Sequence, residues 1–257
     1  MENFILECCV DSVESAINAT KGGASRLELC SNLIIGGTSP DVALFHQVRK
    51  ETNVRVHALI RPRFGDFCYS AYEIEIMKEQ ICSLKEAGVE GFVIGVLDEE
   101  GNLNIPVMKE LIEVAGDSHV VLHRAFDMCC DPFKTMEEAI ELGVKTILTS
   151  GQQQSAWEGR ELLADLIKKA EGRIDIMAGS GISAGAIEKL LPVIKGSTYH
   201  MSGKVTLDSS MKYRKKEVSM GLPSLSEYEI WQTSEENVRE AVKVLKEYES
   251  SCFIISK

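Results

Sequence analysis

The segment HVVLHRAFDMCCDPFKTMEEAIELGVKTILT, residues 119–149, contains a complete strand–helix–strand unit. His119–His123 and Thr146–Thr149 are short, largely apolar runs of the kind that forms buried parallel strands. Between them, Asp131-Pro132 places a cap before a proline at the first helical position, and Gly143 stands where that helix should end. The unit therefore predicts a parallel α/β architecture.

The same pattern extends in both directions along the chain. Similar runs begin every ~21–37 residues, the span of one strand and one returning helix. With 257 residues, the chain is close to the length of about 250 that is typical of an eight-fold barrel. We predict a single-domain (β/α)8 TIM barrel over residues 1–257, with a doubly wound open sheet as the alternative. The predicted strands are Ile5–Cys9, Arg26–Cys30, Val54–Ile60, Gly91–Val96, His119–His123, Thr146–Thr149, Ile174–Ala178 and Thr198–Met201.

Other helix starts follow from capping residues. Ser70-Ala71-Tyr72-Glu73 predicts a capping box, with Gly88 as the stop of that helix. Ser39-Pro40 predicts a second helix that begins at the proline.

A long connection precedes the last helix, which we predict near residues 234–249. Segment 208–233 exceeds the usual connection of about 2–6 residues. Within it Lys212–Met220 looks strand-like, while Tyr228 and Trp231 are large side chains in polar surroundings. We interpret the segment as a lid or a subunit contact; an ordered surface loop is the alternative.

Composition limits the possible partners and location. The net charge of −11 repels phosphate backbones and anionic lipids, which argues against nucleic-acid and membrane binding. The N-terminus lacks a basic region followed by a long apolar run, so no secretory signal is predicted. Eight cysteines without Cys-x-x-Cys spacing indicate reduced thiols. The chain is therefore predicted to be cytoplasmic.

Two predicted strands contain charged residues that do not suit an apolar outer face. Glu7 and Cys9 share one face of the first strand, and Glu28 and Cys30 share one face of the second. A carboxylate under the surrounding helices would need a partner or lose its charge. We therefore expect all four side chains to point into the barrel.

More polar residues stand at the C-terminal ends of other strands, where the active sites of such barrels occur. Any one of them could form a structural ion pair, but together they favour a functional site. They are Arg61 and Arg63, with the parity of His57; His123, Arg124 and Asp127; and His200 and Ser202.

Two glycine-containing turns follow the seventh and eighth strands. Gly179-Ser180-Gly181 precedes Ser183, which could begin a helix, and Ser202-Gly203-Lys204 follows the last strand. Free backbone N–H groups at such positions commonly hold phosphate. The turns indicate either an anion site or simply a tight change of direction.

Several of these motifs resemble the copper homeostasis protein CutC family, over about residues 4–220. They are Leu6-Glu7-Cys8-Cys9, Arg26-Leu27-Glu28-Leu29-Cys30, Ile60-Arg61-Pro62-Arg63, Gly65-Asp66-Phe67-Cys68-Tyr69-Ser70, His123-Arg124-Ala125-Phe126-Asp127-Met128 and Leu148-Thr149-Ser150-Gly151.

The resemblance implies a cytoplasmic (β/α)8 barrel, a homo-oligomer (dimer or tetramer) and Cu(I) binding at Cys9 and Cys30. Cu(I) is soft and favours thiolates, although reduced cysteines more often pack as small apolar groups. Cys8 has the opposite parity and would not join Cys9.

An enzyme is the alternative hypothesis, and a scaffold protein without chemistry is a third. Glu7, Glu28, His123 and Asp127 are candidate acid–base groups. The candidate ligand-binding groups are Arg61, Arg63, Arg124, Gly179, Ser180, Gly181, His200 and Ser202. This set would suit isomerase- or lyase-like chemistry on a small anionic or phosphorylated metabolite.

Overall fold

Eight parallel strands form a closed barrel in which each strand neighbours the next and β8 pairs with β1. The structure, a computed structural model, describes residues 4–215, 218, 220 and 225–255. Closure confirms the barrel and excludes the open sheet. The barrel strands are β1 Ile5–Val10, β2 Arg26–Leu29, β3 Arg55–Leu59, β4 Gly91–Ile94, β5 His119–Leu122, β6 Thr146–Thr149, β7 Asp175–Ala178 and β8 Thr198–Met201.

A helix follows each of the first seven strands and returns the chain to the start of the next. An eighth helix packs against the first and the seventh. The helices are α1 Val13–Gly22, α2 Val42–Glu51, α3 Ala71–Ala87, α4 Ile105–Ala115, α5 Pro132–Glu141, α6 Arg160–Ala170, α7 Ala184–Ile194 and α8 Glu235–Ile255. None of these helices is both long enough and apolar enough to cross a membrane, as far as the described chain extends.

The predicted caps explain where two of the helices start. Ser70 and Glu73 form the expected capping box of α3, and Gly88 closes that helix in a left-handed conformation. Asp131 caps α5 immediately before Pro132. The start of α2 was predicted wrongly: it begins at Val42, because Asp41 and not Ser39 accepts the first-turn backbone N–H, from Leu44.

Side-chain parity divides the core into two parts. The residues inside the barrel form a small apolar cluster, and the outward residues form a larger core beneath the helices. Cys8 belongs to the outer core and Cys9 to the inner cluster, as their opposite parity predicts. The inner cluster consists of Cys9, Cys30, Leu59, Val93, Val121, Leu148 and Met177.

The long connection after β8 contains an antiparallel pair of strands, β9 Lys204–Asp208 and β10 Glu229–Thr233. The predicted strand-like segment Lys212–Met220 was wrong where it can be checked, because residues 212–215, 218 and 220 form no strand. Residues 216, 217 and 219 lie outside the described residues. The strand that pairs with β10 is instead β9, the segment directly after the barrel.

Hydrogen bonds at Thr233, the last residue of β10, attach this β9–β10 sheet to the barrel. Thr233 donates its backbone N–H to Ser15 Oγ (3.1 Å) and its hydroxyl to the Ser202 carbonyl (3.0 Å). Asn18 donates its side-chain amide to the Thr233 carbonyl (2.9 Å). The sheet is therefore held beside the C-terminal ends of the barrel strands, where it forms one wall of the candidate site.

Candidate functional site at the barrel mouth

A cavity of about 270 Å³ opens at the C-terminal ends of the barrel strands, and we call it the mouth cavity. Residues from β1, β2, β3, β6 and β8 and from four strand-to-helix connections contribute to its lining, and the β9–β10 sheet covers one side. Its polar lining includes Cys9, Asp11, Glu28, Arg61, His123, Arg124, His200, Ser202 and Lys204, and its aromatic lining Phe67 and Trp231. Seven of the predicted site residues line this cavity: Cys9, Glu28, Arg61, His123, Arg124, His200 and Ser202.

Glu7 lies below this cavity, completely buried inside the barrel. Its carboxylate pairs with Arg26 Nε and accepts a hydrogen bond at Oε1 from His200 Nδ1 (2.8 Å). Burial alone would raise the pKa of Glu7, but Arg26, assisted by His200, overrides it and holds the pKa well below its ordinary value. Glu7 is thus an ionised group that fixes its neighbours.

His200 connects Glu7 to the cavity. Its Nδ1 faces the Glu7 carboxylate, and its Nε2 lies 3.7 Å from Glu28 Oε2. Burial would lower the pKa of His200, but Cys9, Glu28 and Glu7 outweigh it and raise the pKa well above its ordinary value. His200 is thus held between the carboxyl groups of Glu7 and Glu28.

Glu28 differs from Glu7 because no arginine forms an ion pair with it among the described residues. Burial raises the pKa of Glu28, the nearby His200 opposes that rise, and the Glu7 carboxylate adds to it, while Arg26 lowers the pKa only weakly from a greater distance. The sulfur of Cys30 donates to Glu28 Oε2 at 3.4 Å. Two carboxyls on adjacent strands therefore have opposite proton affinities, the environment expected where acid and base roles are separated.

The two predicted metal ligands occupy different positions inside the barrel. Cys9 lines the mouth cavity, and its sulfur lies within 4.8 Å of donor atoms of Glu28 and His200. Cys30 is fully buried behind Glu28 and does not line the cavity. Burial, and then the Glu28 carboxylate, raise the pKa of the Cys30 thiol well above its ordinary value.

His123 contributes a neutral imidazole to the cavity wall. Its Nδ1 accepts the backbone N–H of Ala125 (3.1 Å), so the neutral ring carries its proton on Nε2, which has no hydrogen-bond partner among the described residues. Burial, and then the Arg61 guanidinium, lower the pKa of His123 to about 3. The ring occupies the space left by Gly95, where a Cβ atom would lie 2.6 Å from it.

Arg61 is part of the lining, but its guanidinium is largely committed to the backbone. It donates to the carbonyls of Gly36, Gly37 and Gly65 and lies over the ring of Phe67, 5.0 Å from its centroid. Its role in the structure is to join two loops at the rim. Its Nε has no partner among the described residues.

The other predicted basic residues have different environments. Arg63 does not line the cavity: it pairs with Asp66 and Glu73 and stacks on Tyr69. Arg124 lines the cavity and remains partly exposed, with Nε on Asp127 (2.7 Å).

Asp127 lies outside the cavity lining and organises the loop after β6. It accepts hydrogen bonds from the Thr149 hydroxyl (2.5 Å) and from the backbone N–H groups of Ser150 and Gln152. Its carboxylate is thus engaged by the protein itself. The geometry gives it a structural role beside Arg124.

The turn at Gly179, Ser180 and Gly181 also lies away from the cavity lining. Ser180 adopts a left-handed conformation (φ 74°), and its hydroxyl donates to the Gln154 carbonyl (2.6 Å). Gly179 packs closely against the end of the Leu148 side chain, which a Cβ there would approach to 2.5 Å. Of the two predicted anion-binding turns, only the one with Ser202 and Lys204 reaches the cavity.

Sequence reasoning missed Arg26, the cation inside the barrel. Arg26 shares the parity of Glu28 and Cys30, so the alternation within β2 was the signal that could have identified it. It was overlooked because it begins the strand, far from the mouth. Phe67 was also missed, since its position depends on the path of a loop.

Comparison with known proteins gives a consistent assignment. The sequence model described as "CutC family" matches residues 4–205. The chain is 43% identical over 237 residues to the human protein named copper homeostasis protein cutC homolog, covering 92% of this chain and 87% of that protein. It is 40% identical over 242 residues to a CutC family protein of Histophilus somni (strain 2336), covering 94% and 99% respectively.

A solved structure agrees with this assignment. The crystal structure of CutC from Streptococcus agalactiae superimposes with a TM-score of 0.74 at 27% identity, covering 77% of this chain and 98% of that one.

Proposed function

This chain belongs to the CutC family, and from that premise we propose that it acts in copper homeostasis by binding Cu(I) inside the barrel, through the sulfur atoms of Cys9 and Cys30. Copper is the cargo in this proposal. The relatives named copper homeostasis proteins supply the choice of metal, and the positions of the two cysteines supply the candidate ligands.

One observation carries the proposal: both thiols lie in the inner cluster of the barrel, Cys9 on β1 and Cys30 directly after the neighbouring strand β2. Cu(I) is a soft ion that prefers thiolates and accepts low coordination numbers, so two sulfur atoms form an adequate ligand set. Cys9 lines the mouth cavity and gives access, whereas Cys30 is shielded from solvent. Burial of a thiolate–copper pair also limits oxidation of the thiols.

Copper binding should release protons. The pKa of Cys30 is raised by burial and by Glu28, so the free protein carries the thiol form at neutral pH. A bound metal deprotonates its thiol ligands. Glu28 Oε2, 3.4 Å from the Cys30 sulfur, is the nearest group that can accept the proton.

An anaerobic Cu(I) titration against a chromogenic competitor tests this proposal. We expect about one Cu(I) per chain, and affinity reduced by at least 100-fold in Cys9→Ser and in Cys30→Ser, because each loses half of the ligand set. Cys82→Ser is the matched control, since Cys82 is exposed on α3. Unchanged Cu(I) affinity in both cysteine variants would refute the assignment.

Family membership supports two further parts of the proposal, a cytoplasmic location and a homo-oligomer, as a dimer or tetramer. The exposed side chains of Val205, Leu207 and Ile230 on the β9–β10 sheet are the candidate contact between subunits. Light scattering should show Leu207→Asp at a lower mass than the native chain. An unchanged mass would exclude this surface as the contact.

A second function, acid–base catalysis on a small anion, is supported by His123, which lines the mouth cavity together with Arg124 and Lys204. The buried Nε2 of His123 has no hydrogen-bond partner within the described part of the chain. A neutral imidazole N–H can donate to a developing oxyanion, and the two cations can hold a carboxylate or phosphate. The reaction class would be isomerase- or lyase-like chemistry on a small anionic or phosphorylated metabolite.

Mass spectrometry of small molecules released on denaturation tests this second function. We expect an anionic metabolite to co-purify with the native protein and to be reduced in Arg124→Ala, whereas the exposed Arg55→Ala serves as control. If equal amounts are released by all three proteins, the anion is not held at the mouth cavity.

A further inference from the structure

The geometry points to a site for a divalent metal ion, of the Zn²⁺ class, formed by Cys9 Sγ, Glu28 and His200 at the floor of the mouth cavity. This site differs from the two-thiol copper site in its ligands and in the charge of its ion. The two share only Cys9, so the inference does not rest on the proposed copper function.

The distances suit such an ion. Metal–donor bonds of about 2.0–2.3 Å at tetrahedral angles place donor atoms ~3.3–3.8 Å apart. His200 Nε2 and Glu28 Oε2 are 3.7 Å apart. The three donor atoms all lie within 4.8 Å of one another, so closure around the ion requires movements of about 1 Å at most.

A hydrogen bond from Nδ1 of His200 to Glu7 already holds the imidazole ring in the way that metal sites require. Its Nδ1 donates to Glu7 Oε1 at 2.8 Å, so Nε2 is the nitrogen left to coordinate. Carboxylate–histidine pairs of this kind fix the ring and raise the basicity of the ligand. Arg26 holds the Glu7 carboxylate in turn, which gives the site a rigid support inside the barrel.

The chemistry of the donors selects the ion. One thiolate, one imidazole and one carboxylate form a mixed set that suits Zn²⁺ and related ions, whereas Cu(I) would prefer a second sulfur. All three ligands line the mouth cavity, so the fourth coordination position faces the space where a small molecule can enter. Three protein ligands with one open position is the arrangement of catalytic zinc sites.

Cys30 has a different role at this site. Its sulfur donates to Glu28 Oε2 at 3.4 Å and thereby positions a ligand without being one. A serine hydroxyl can make the same donation. Cys30→Ser therefore distinguishes the two metal sites, because it removes a copper ligand but leaves the three divalent-metal ligands intact.

Titration of the reduced, metal-free full chain with Co²⁺ and Zn²⁺ tests the inference. We expect about one equivalent to bind, with a thiolate-to-cobalt charge-transfer band of the intensity given by one sulfur. His200→Asn, Glu28→Gln and Cys9→Ser should each weaken Zn²⁺ binding at least 100-fold, and Glu7→Gln about 10–100-fold. Cys30→Ser should bind Zn²⁺ within about threefold of the native protein.

X-ray absorption of the zinc-loaded native chain provides a result that needs no variant, should any variant fail to fold. One sulfur and two or three nitrogen or oxygen neighbours support the site; two sulfur neighbours overturn it. Equal loss of Zn²⁺ in Cys30→Ser and Cys9→Ser, or no loss in His200→Asn, also overturns it. Cu(I) titrations of the same variants are independent, since there Cys30→Ser should lose binding.

Discussion

Replacing Arg26 by methionine removes the main counter-charge of Glu7 and leaves the buried carboxylate with His200 as its remaining hydrogen-bond partner. The Arg26 and Glu7 side chains are 3% and 0% exposed, so water cannot replace the missing partner. Breaking a buried ion pair by removing one member typically costs about 3–5 kcal/mol. We expect Arg26→Met to lower the free energy of unfolding by about that amount, a factor of ~10²–10⁴ in the folding equilibrium constant.

A double-mutant cycle separates the charge from the loss of packing. In Arg26→Met/Glu7→Gln both charges are absent, and the glutamine can still accept a hydrogen bond from His200. We therefore expect the double variant to be at least as stable as the less stable of the two single variants. The coupling energy between the two substitutions should be several kcal/mol.

Urea unfolding followed by circular dichroism measures the four free energies, with the m-values compared to check that the same transition is observed. Arg55→Met is the matched control, because Arg55 is exposed and is the register partner of Arg26 on β3. It should change stability by about 0.5 kcal/mol or less. If the double variant lost the sum of the two single effects, the ion pair would not be the cause.

Three further outcomes follow from other contacts. Burial lowers the pKa of His123 to about 3, so below about pH 6.5 the unfolded chain binds a proton that the folded chain does not, and stability falls as pH falls. Between pH 7.5 and 5.5, the free energy of unfolding from urea titrations should therefore fall by about 1.4 kcal/mol less in His123→Asn than in the native chain. Gly95→Ala places a Cβ 2.6 Å from the His123 ring and should cost about 1–3 kcal/mol by calorimetry, whereas Gly185→Ala, with nothing within 4 Å, should be neutral or stabilising. Asp127→Ala should speed hydrogen exchange at the Ser150 amide by at least tenfold, and unchanged exchange there would show that the carboxylate does not hold the loop.

The fold was predictable because its signals are local. Each strand–helix unit carries its own apolar run and punctuation, as Ser70 and Gly88 show at the two ends of α3. The β9–β10 sheet was not predictable in the same way. Its strands pair across a long separation in sequence, and β9 is exposed along its whole length, so its alternating Val205 and Leu207 do not mark a side that faces the core.

For the candidate site, the sequence predicted which side chains of a strand point into the barrel, but not their height within it. Parity correctly placed Glu7, Glu28, Cys9 and Cys30 inside the barrel. It could not tell which carboxylate would meet Arg26, because strand stagger decides height within the barrel and the register lies outside any single strand. For the same reason the sequence could not separate Cys9, which reaches the cavity, from Cys30, which supports Glu28.

The polar interior is itself an argument for function. A barrel interior is normally filled by layers of bulky apolar side chains, and such a core is as stable as, or more stable than, one with buried ion pairs. Here β1, β2 and β8 instead place Glu7, Arg26, Glu28 and His200 in contact along one side of the interior. Stability alone gives no reason to desolvate four ionisable groups. Binding does, because an ion or anion that enters the mouth cavity meets ligands that are already oriented and shielded from water.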